Sequence, residues 1–78
     1  MVTPAQLRAA RALIAITRDE LGRRSGLSAQ TIRRMEGAGA GGSLPGNIQA
    51  VQNALEAAGV EFISENGGGA GVRFEQSQ

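Results

Sequence analysis

Apolar residues recur at helix-face spacing through the first three quarters of the chain, then switch to the alternation of strands. Leu7, Ala10, Leu13 and Ile14 share one face of a helix that runs from Thr3 to about Ile14. Thr3-Pro4-Ala5-Gln6 supplies its start: Thr at the cap, Pro where a missing N–H costs nothing, and Gln placed to bond back. Thr17-Arg18-Asp19-Glu20 has the form of a second capping box, with two acids where the helix dipole favours them. That helix carries Leu21 inward and stops near Arg24. Ser28 caps a third helix, Ala29 to Glu36, which buries Ile32 and Met35 and ends on Gly37. After a loop over residues 37–46, Pro45 or Asn47 opens a fourth helix reaching about Ala58. Ile48, Val51, Ala54, Leu55 and Ala58 form its apolar stripe, and Gly59 stops it.

Val60-Glu61-Phe62-Ile63 and Val72-Arg73-Phe74 then alternate as short strands on either side of Asn66-Gly67-Gly68-Gly69-Ala70-Gly71. A two-stranded ribbon alone is marginal in water. The pair is therefore expected to pack on the helices or against a second chain, since Val60, Phe62, Val72 and Phe74 need burial. The pattern predicts a mainly α fold of four to five helices with a short C-terminal β-hairpin or strand pair. It divides into residues 1–59, and a β extension over residues 60–78 that is a candidate dimerisation element with a frayed tail.

Composition narrows the chemistry. The 78 residues allow one small domain with one modest core. The absence of Cys and His removes disulfides, thiolate and imidazole metal ligands, and His-based catalysis. No catalytic, metal or cofactor site is expected, and the chain is not read as an enzyme. No run approaches the ~20 apolar residues of a membrane span, and Met1-Val2-Thr3-Pro4 does not open a signal peptide. The chain reads as soluble and cytoplasmic, without a membrane partner.

The net charge of +1 hides an asymmetry. Residues 1–36 hold seven arginines against three carboxylates, whereas residues 37–78 hold one arginine against four. The first half is the candidate surface for a polyanion. Asp19 and Glu20 are accounted for by capping. Glu36 is expected to pair with an arginine of the first helix, and Arg8 and Arg11 to form surface pairs with Glu20 or Glu36.

Gly37-Ala38-Gly39-Ala40-Gly41-Gly42 spells G-x-G-x-x-G, the form of a nucleotide-binding loop. That function requires a strand before the glycines and a helix after them. Here they follow a helix, and the chain is too short for the repeated βαβ units of a dinucleotide fold. The run is read as the cap and mobile exit of the third helix.

Only Ser25-Gly26-Leu27 separates the second and third capped helices, which is the sequence form of a helix-turn-helix. Gly22 allows the two helices to approach, Gly26 supplies the positive φ of the turn, and Leu27 plugs the space between them. Ala29, Gln30, Arg33 and Arg34 then point outward. Gln pairs bidentately with adenine, Arg with guanine, and an Ala methyl packs on a thymine methyl.

Residues 4–58 resemble the Cro/C1-type (XRE family) helix-turn-helix domain of bacterial and phage regulators. The resemblance runs through Leu7-Arg8-x-x-Arg11, Thr17-Arg18-Asp19-Glu20-Leu21-Gly22, Ser25-Gly26-Leu27-Ser28 and Thr31-Ile32-x-x-x-Glu36-Gly37. Ala54 to Phe62 and the Gly71-Val72-Arg73-Phe74 end resemble a small stand-alone subgroup. The resemblance implies a lambda-repressor-like fold with the third helix in the major groove. Ala29, Gln30 and Arg34 would face base edges with Arg33 beside them, and Thr17, Arg18, Ser28 and Thr31 would meet phosphates. It implies a homodimeric repressor of double-stranded operator DNA. One departure is the uncharged loop Ala38 to Ser43, where the family commonly carries a basic or Asn-containing grip on the backbone. A second reading of the same fold is a protein-binding module, an antitoxin or anti-activator. The uncharged loop and the apolar hairpin motivate it.

Overall fold

A computed structural model describes residues 2–37 and 44–75. Within them lie helices α1 (Pro4–Leu13), α2 (Arg18–Ser25), α3 (Ala29–Glu36) and α4 (Pro45–Ala57), then the antiparallel strands β1 (Val60–Ile63) and β2 (Gly71–Phe74). At the head of α1, Thr3 Oγ1 accepts the Gln6 N–H at 3.1 Å while Gln6 Oε1 accepts the Thr3 N–H at 2.9 Å. The capping box is complete there.

The second box is not. Thr17 Oγ1 accepts the Glu20 N–H at 3.0 Å, but the Glu20 carboxylate turns forward to Arg23 and Arg24 instead of back to the cap. Charged partners one turn ahead on the helix outcompete a neutral backbone N–H for a carboxylate. Ser28 Oγ accepts the Thr31 N–H at 3.1 Å and starts α3. α4 has no side-chain cap, and Pro45 in its first turn supplies the start instead.

Leu7 and Ala10 of α1, Leu21 of α2, Ile32 and Met35 of α3, Val51 and Leu55 of α4, and Val60 of β1 form the core. Leu13, Ile14, Leu27, Ala54, Phe62 and Val72 pack around it, partly buried. Gly22 fixes how closely α2 and α3 approach: a Cβ there would lie 2.5 Å from the carbonyl oxygen of Leu27. Gly26 takes φ 78°, the left-handed turn that lets the Leu27 N–H return to the Gly22 carbonyl at 2.8 Å. The turn between α1 and α2 uses a residue that the sequence pattern does not flag. Ala15 sits at φ 57°, a conformation costing about 1–2 kcal/mol for a residue with a Cβ. Arg11 offsets this by donating from Nη1 to the Ile16 carbonyl at 3.2 Å.

The hairpin pairs Val60 with Phe74 and Phe62 with Val72, so all four apolar side chains share one face. Val60 is buried, Phe62 and Val72 are half-buried, and Phe74 remains 58% exposed. The expected burial therefore stops short of Phe74, although its cross-strand partner Val60 lies in the core. Gln6 closes the sheet onto α1. Its side chain is buried, and Nε2 donates to the carbonyls of Ile63 at 3.1 Å and Gly71 at 3.0 Å. The sequence pattern gives Gln6 only its capping role. Among the described residues, no helix is long and apolar enough to cross a membrane.

Candidate nucleic-acid interface

The helix-turn-helix sets the N-terminus of α2 beside the first turns of α3. An open cleft lies between them, with Thr17, Arg18 and Asp19 on one side and Ala29, Gln30 and Arg33 on the other. Arg11 of α1 also lines it. Five candidate residues thus come together: Thr17, Arg18, Ala29, Gln30 and Arg33. Ser28, Thr31 and Arg34 do not line this cleft.

On α3, Gln30, Arg33 and Arg34 stand exposed at one-turn spacing, while Ala29 and Thr31 are half-buried. The apolar side of the helix, Ile32 and Met35, is committed to the core. Neither Arg33 nor Arg34 enters an ion pair among the described residues. Ser28 and Thr31 share a hydroxyl–hydroxyl hydrogen bond of 2.9 Å in which either oxygen donates. One of the two hydroxyl protons is therefore left for an outside acceptor.

Glu36 holds the far end of α3. It is buried, 2% exposed, yet every polar atom of its carboxylate is satisfied. Arg11 donates from Nε to Oε2 at 2.7 Å and from Nη2 to Oε1 at 3.1 Å, and Arg18 donates from Nε to Oε1 at 3.1 Å. Arg8 donates from Nη1 to the Glu36 backbone carbonyl. Three guanidinium groups from α1 and α2 thus converge on the C-terminal end of α3, where the helix dipole is negative. The expected pairing of Glu36 with the first helix holds. It is a buried three-element clamp rather than a surface pair, and Glu20 takes no part because Arg23 and Arg24 occupy it.

Arg18 has two aspects. Its Nε is fixed on Glu36, while its side chain stays 44% exposed beside the cleft. A guanidinium held this way presents its remaining N–H groups in a set direction and loses little freedom on meeting an anion. Arg11, Arg18 and Arg33 stand against Asp19 and the Glu36 carboxylate that Arg11 and Arg18 share, so the cleft stays net basic by one charge, and the first-turn N–H groups of α2 add to its positive potential. Its chemistry suits an extended anion with polar edges.

Among the described residues, no group of three or more His, Cys, Asp or Glu side chains is placed to hold a metal ion. Residues 38–43 lie outside the described residues, and with them the G-x-G-x-x-G reading beyond Gly37 and the expectation of mobility. No protein-family model matches this chain, and no curated protein matches it.

Proposed function

We propose that this protein is a sequence-specific DNA-binding transcriptional regulator of the Cro/C1 type, a cytoplasmic repressor that binds operator DNA as a homodimer. The observation that carries the reading is the cleft at the α2–α3 junction, lined by Arg33, with Arg34 next to it on α3 and neither guanidinium ion-paired among the described residues. In this reading α3 enters the major groove. Gln30 and Arg34 make bidentate contacts to base edges, Arg33 reaches a base or phosphate, and the Ala29 methyl meets a thymine methyl. Thr17, Arg18 and the N-terminal N–H groups of α2 hold one phosphate and fix the register, with Ser28 and Thr31 offering the spare hydroxyl proton to another. One eight-residue recognition helix makes few base contacts. Two copies on a near-palindrome raise specificity to a useful level. The hairpin, with Phe74 uncovered, is the candidate dimer element.

Replacing Arg34 by Ala tests the reading, because Arg34 supports no contact in the core. Discrimination between the operator and unrelated DNA is expected to fall by about 1–3 kcal/mol, with an unchanged helical circular dichroism spectrum. Operator binding equal to the wild type would overturn the assignment. Exposed Leu44 and Phe74 favour one second reading, a helix-turn-helix module that acts on a protein partner. A protein that ignores its own upstream DNA at low salt would belong to that class.

A further inference from the structure

The loop joining β1 to β2 carries a different chemistry. Asn66 is followed by Gly67 in an exposed stretch, and Gly67 and Gly69 take φ values of 99° and 90°. The Asn66 side chain folds forward over the peptide that follows it, with Oδ1 accepting the Gly68 N–H at 3.4 Å. This Asx turn holds the Asn66 side-chain carbonyl over the Gly67 peptide unit. The Gly67 N–H itself donates to Glu65 Oε2 at 3.2 Å, and the Gly69 N–H donates to the same oxygen at 3.1 Å. One short loop therefore holds a backbone nitrogen as nucleophile, a carbonyl polarised by an N–H, and a carboxylate on the proton that must leave. Gly67 has no side chain to obstruct the approach.

We propose that Asn66-Gly67 is a site of spontaneous deamidation through a succinimide, with Glu65 accepting the departing amide proton. The Gly67 nitrogen forms a bond to the Asn66 side-chain carbonyl carbon, and its proton passes to Glu65. The bond from that carbon to the side-chain nitrogen then breaks, and the proton returns to this nitrogen as ammonia leaves. Water opens the resulting imide at either carbonyl, giving aspartate or isoaspartate. Nothing is oxidised or reduced, and water is the only co-reactant.

The rest of the molecule supplies an internal control. Asn47 and Asn53 lie within α4 and precede Ile48 and Ala54, so the helix holds their backbone away from imide geometry. The product adds a carboxylate beside Glu65 and, as isoaspartate, one backbone carbon. Gln6 clamps the carbonyls of Ile63 and Gly71 on either side of the loop, which confines that extra length to residues 64–70.

The test is incubation of the purified full chain at neutral and mildly alkaline pH, followed by peptide mapping and isoaspartate detection. Asn66 is expected to convert to a mixture of aspartate and isoaspartate while Asn47 and Asn53 keep their amides and the circular dichroism spectrum is unchanged. Glu65→Gln preserves an oxygen acceptor for both N–H groups but cannot carry the proton, and is expected to slow the conversion. An intact amide at Asn66, or conversion of E65Q at the wild-type rate, would overturn the proposal.

Discussion

The carboxylate of Glu36 receives two nitrogens of Arg11 and one of Arg18 while itself only 2% exposed. A buried charge is tolerable only when paired and fully hydrogen-bonded, and removing one partner leaves the others uncompensated. Glu36→Gln keeps the shape and removes the charge. We expect it to cost about 2 kcal/mol, below the roughly 3–5 kcal/mol of a fully buried pair because Arg11 and Arg18 both reach solvent. The denaturant midpoint would report it, and a stability equal to the wild type would mean that the clamp contributes nothing net. The pair on the outer face of the hairpin behaves differently. Arg73, hydrogen-bonded to Glu61, holds that carboxyl below the usual carboxylate range. The folded state therefore gains from this pair above the usual carboxylate range and loses the gain as pH falls through Glu61's lowered value. Both groups are exposed, so the effect is small and local. Lower amide protection factors in β1 and β2, after correction for the intrinsic pH dependence of exchange, are expected on acidification, and Glu61→Gln should abolish that change in protection.

Elements were legible where local chemistry decides them. The caps Thr3, Thr17 and Ser28, the left-handed Gly26 and the close approach at Gly22 all follow from residue type and spacing. Gly22→Ala would push a methyl group into the Leu27 carbonyl, so the α2–α3 angle must open. An overpacking cost of about 1–3 kcal/mol is expected from thermal or chemical unfolding, together with weaker DNA binding. Less legible were choices made between distant segments. The Gln6 contacts span the chain from α1 to the hairpin, and no local pattern signals them. Arg18 reads from sequence as a phosphate ligand, but the fold also sets its Nε on Glu36. Glu20 is the converse case, a capping residue by spacing that two arginines on its own helix draw away. Long-range hydrogen bonds and competition among charges lie outside what periodicity encodes. The candidate site was legible as a residue set, and the cleft gathers five of its eight members.

Across the whole molecule, the basic half holds the helix-turn-helix and the acidic half holds the hairpin. The hairpin packs on α1 and α4, leaving α3 and the N-terminus of α2 free to approach a surface together. The uncharged run Ala38 to Ser43 contributes no phosphate contact through a charge. Each phosphate neutralised adds about 0.9 to the slope of log affinity against log salt. A dimer whose protomers each neutralise phosphates through Arg18 and Arg33 makes about four such contacts and should therefore show a slope of about 3.6. The most direct measurement is a fluorescence anisotropy titration of the wild-type protein, at two salt concentrations, against a fragment of its own upstream DNA and a shuffled fragment of equal length. Tighter binding to the upstream fragment is expected at both concentrations, weakening as salt rises. Equal affinity for the two fragments, or no binding at the lower salt, would contradict the proposed function.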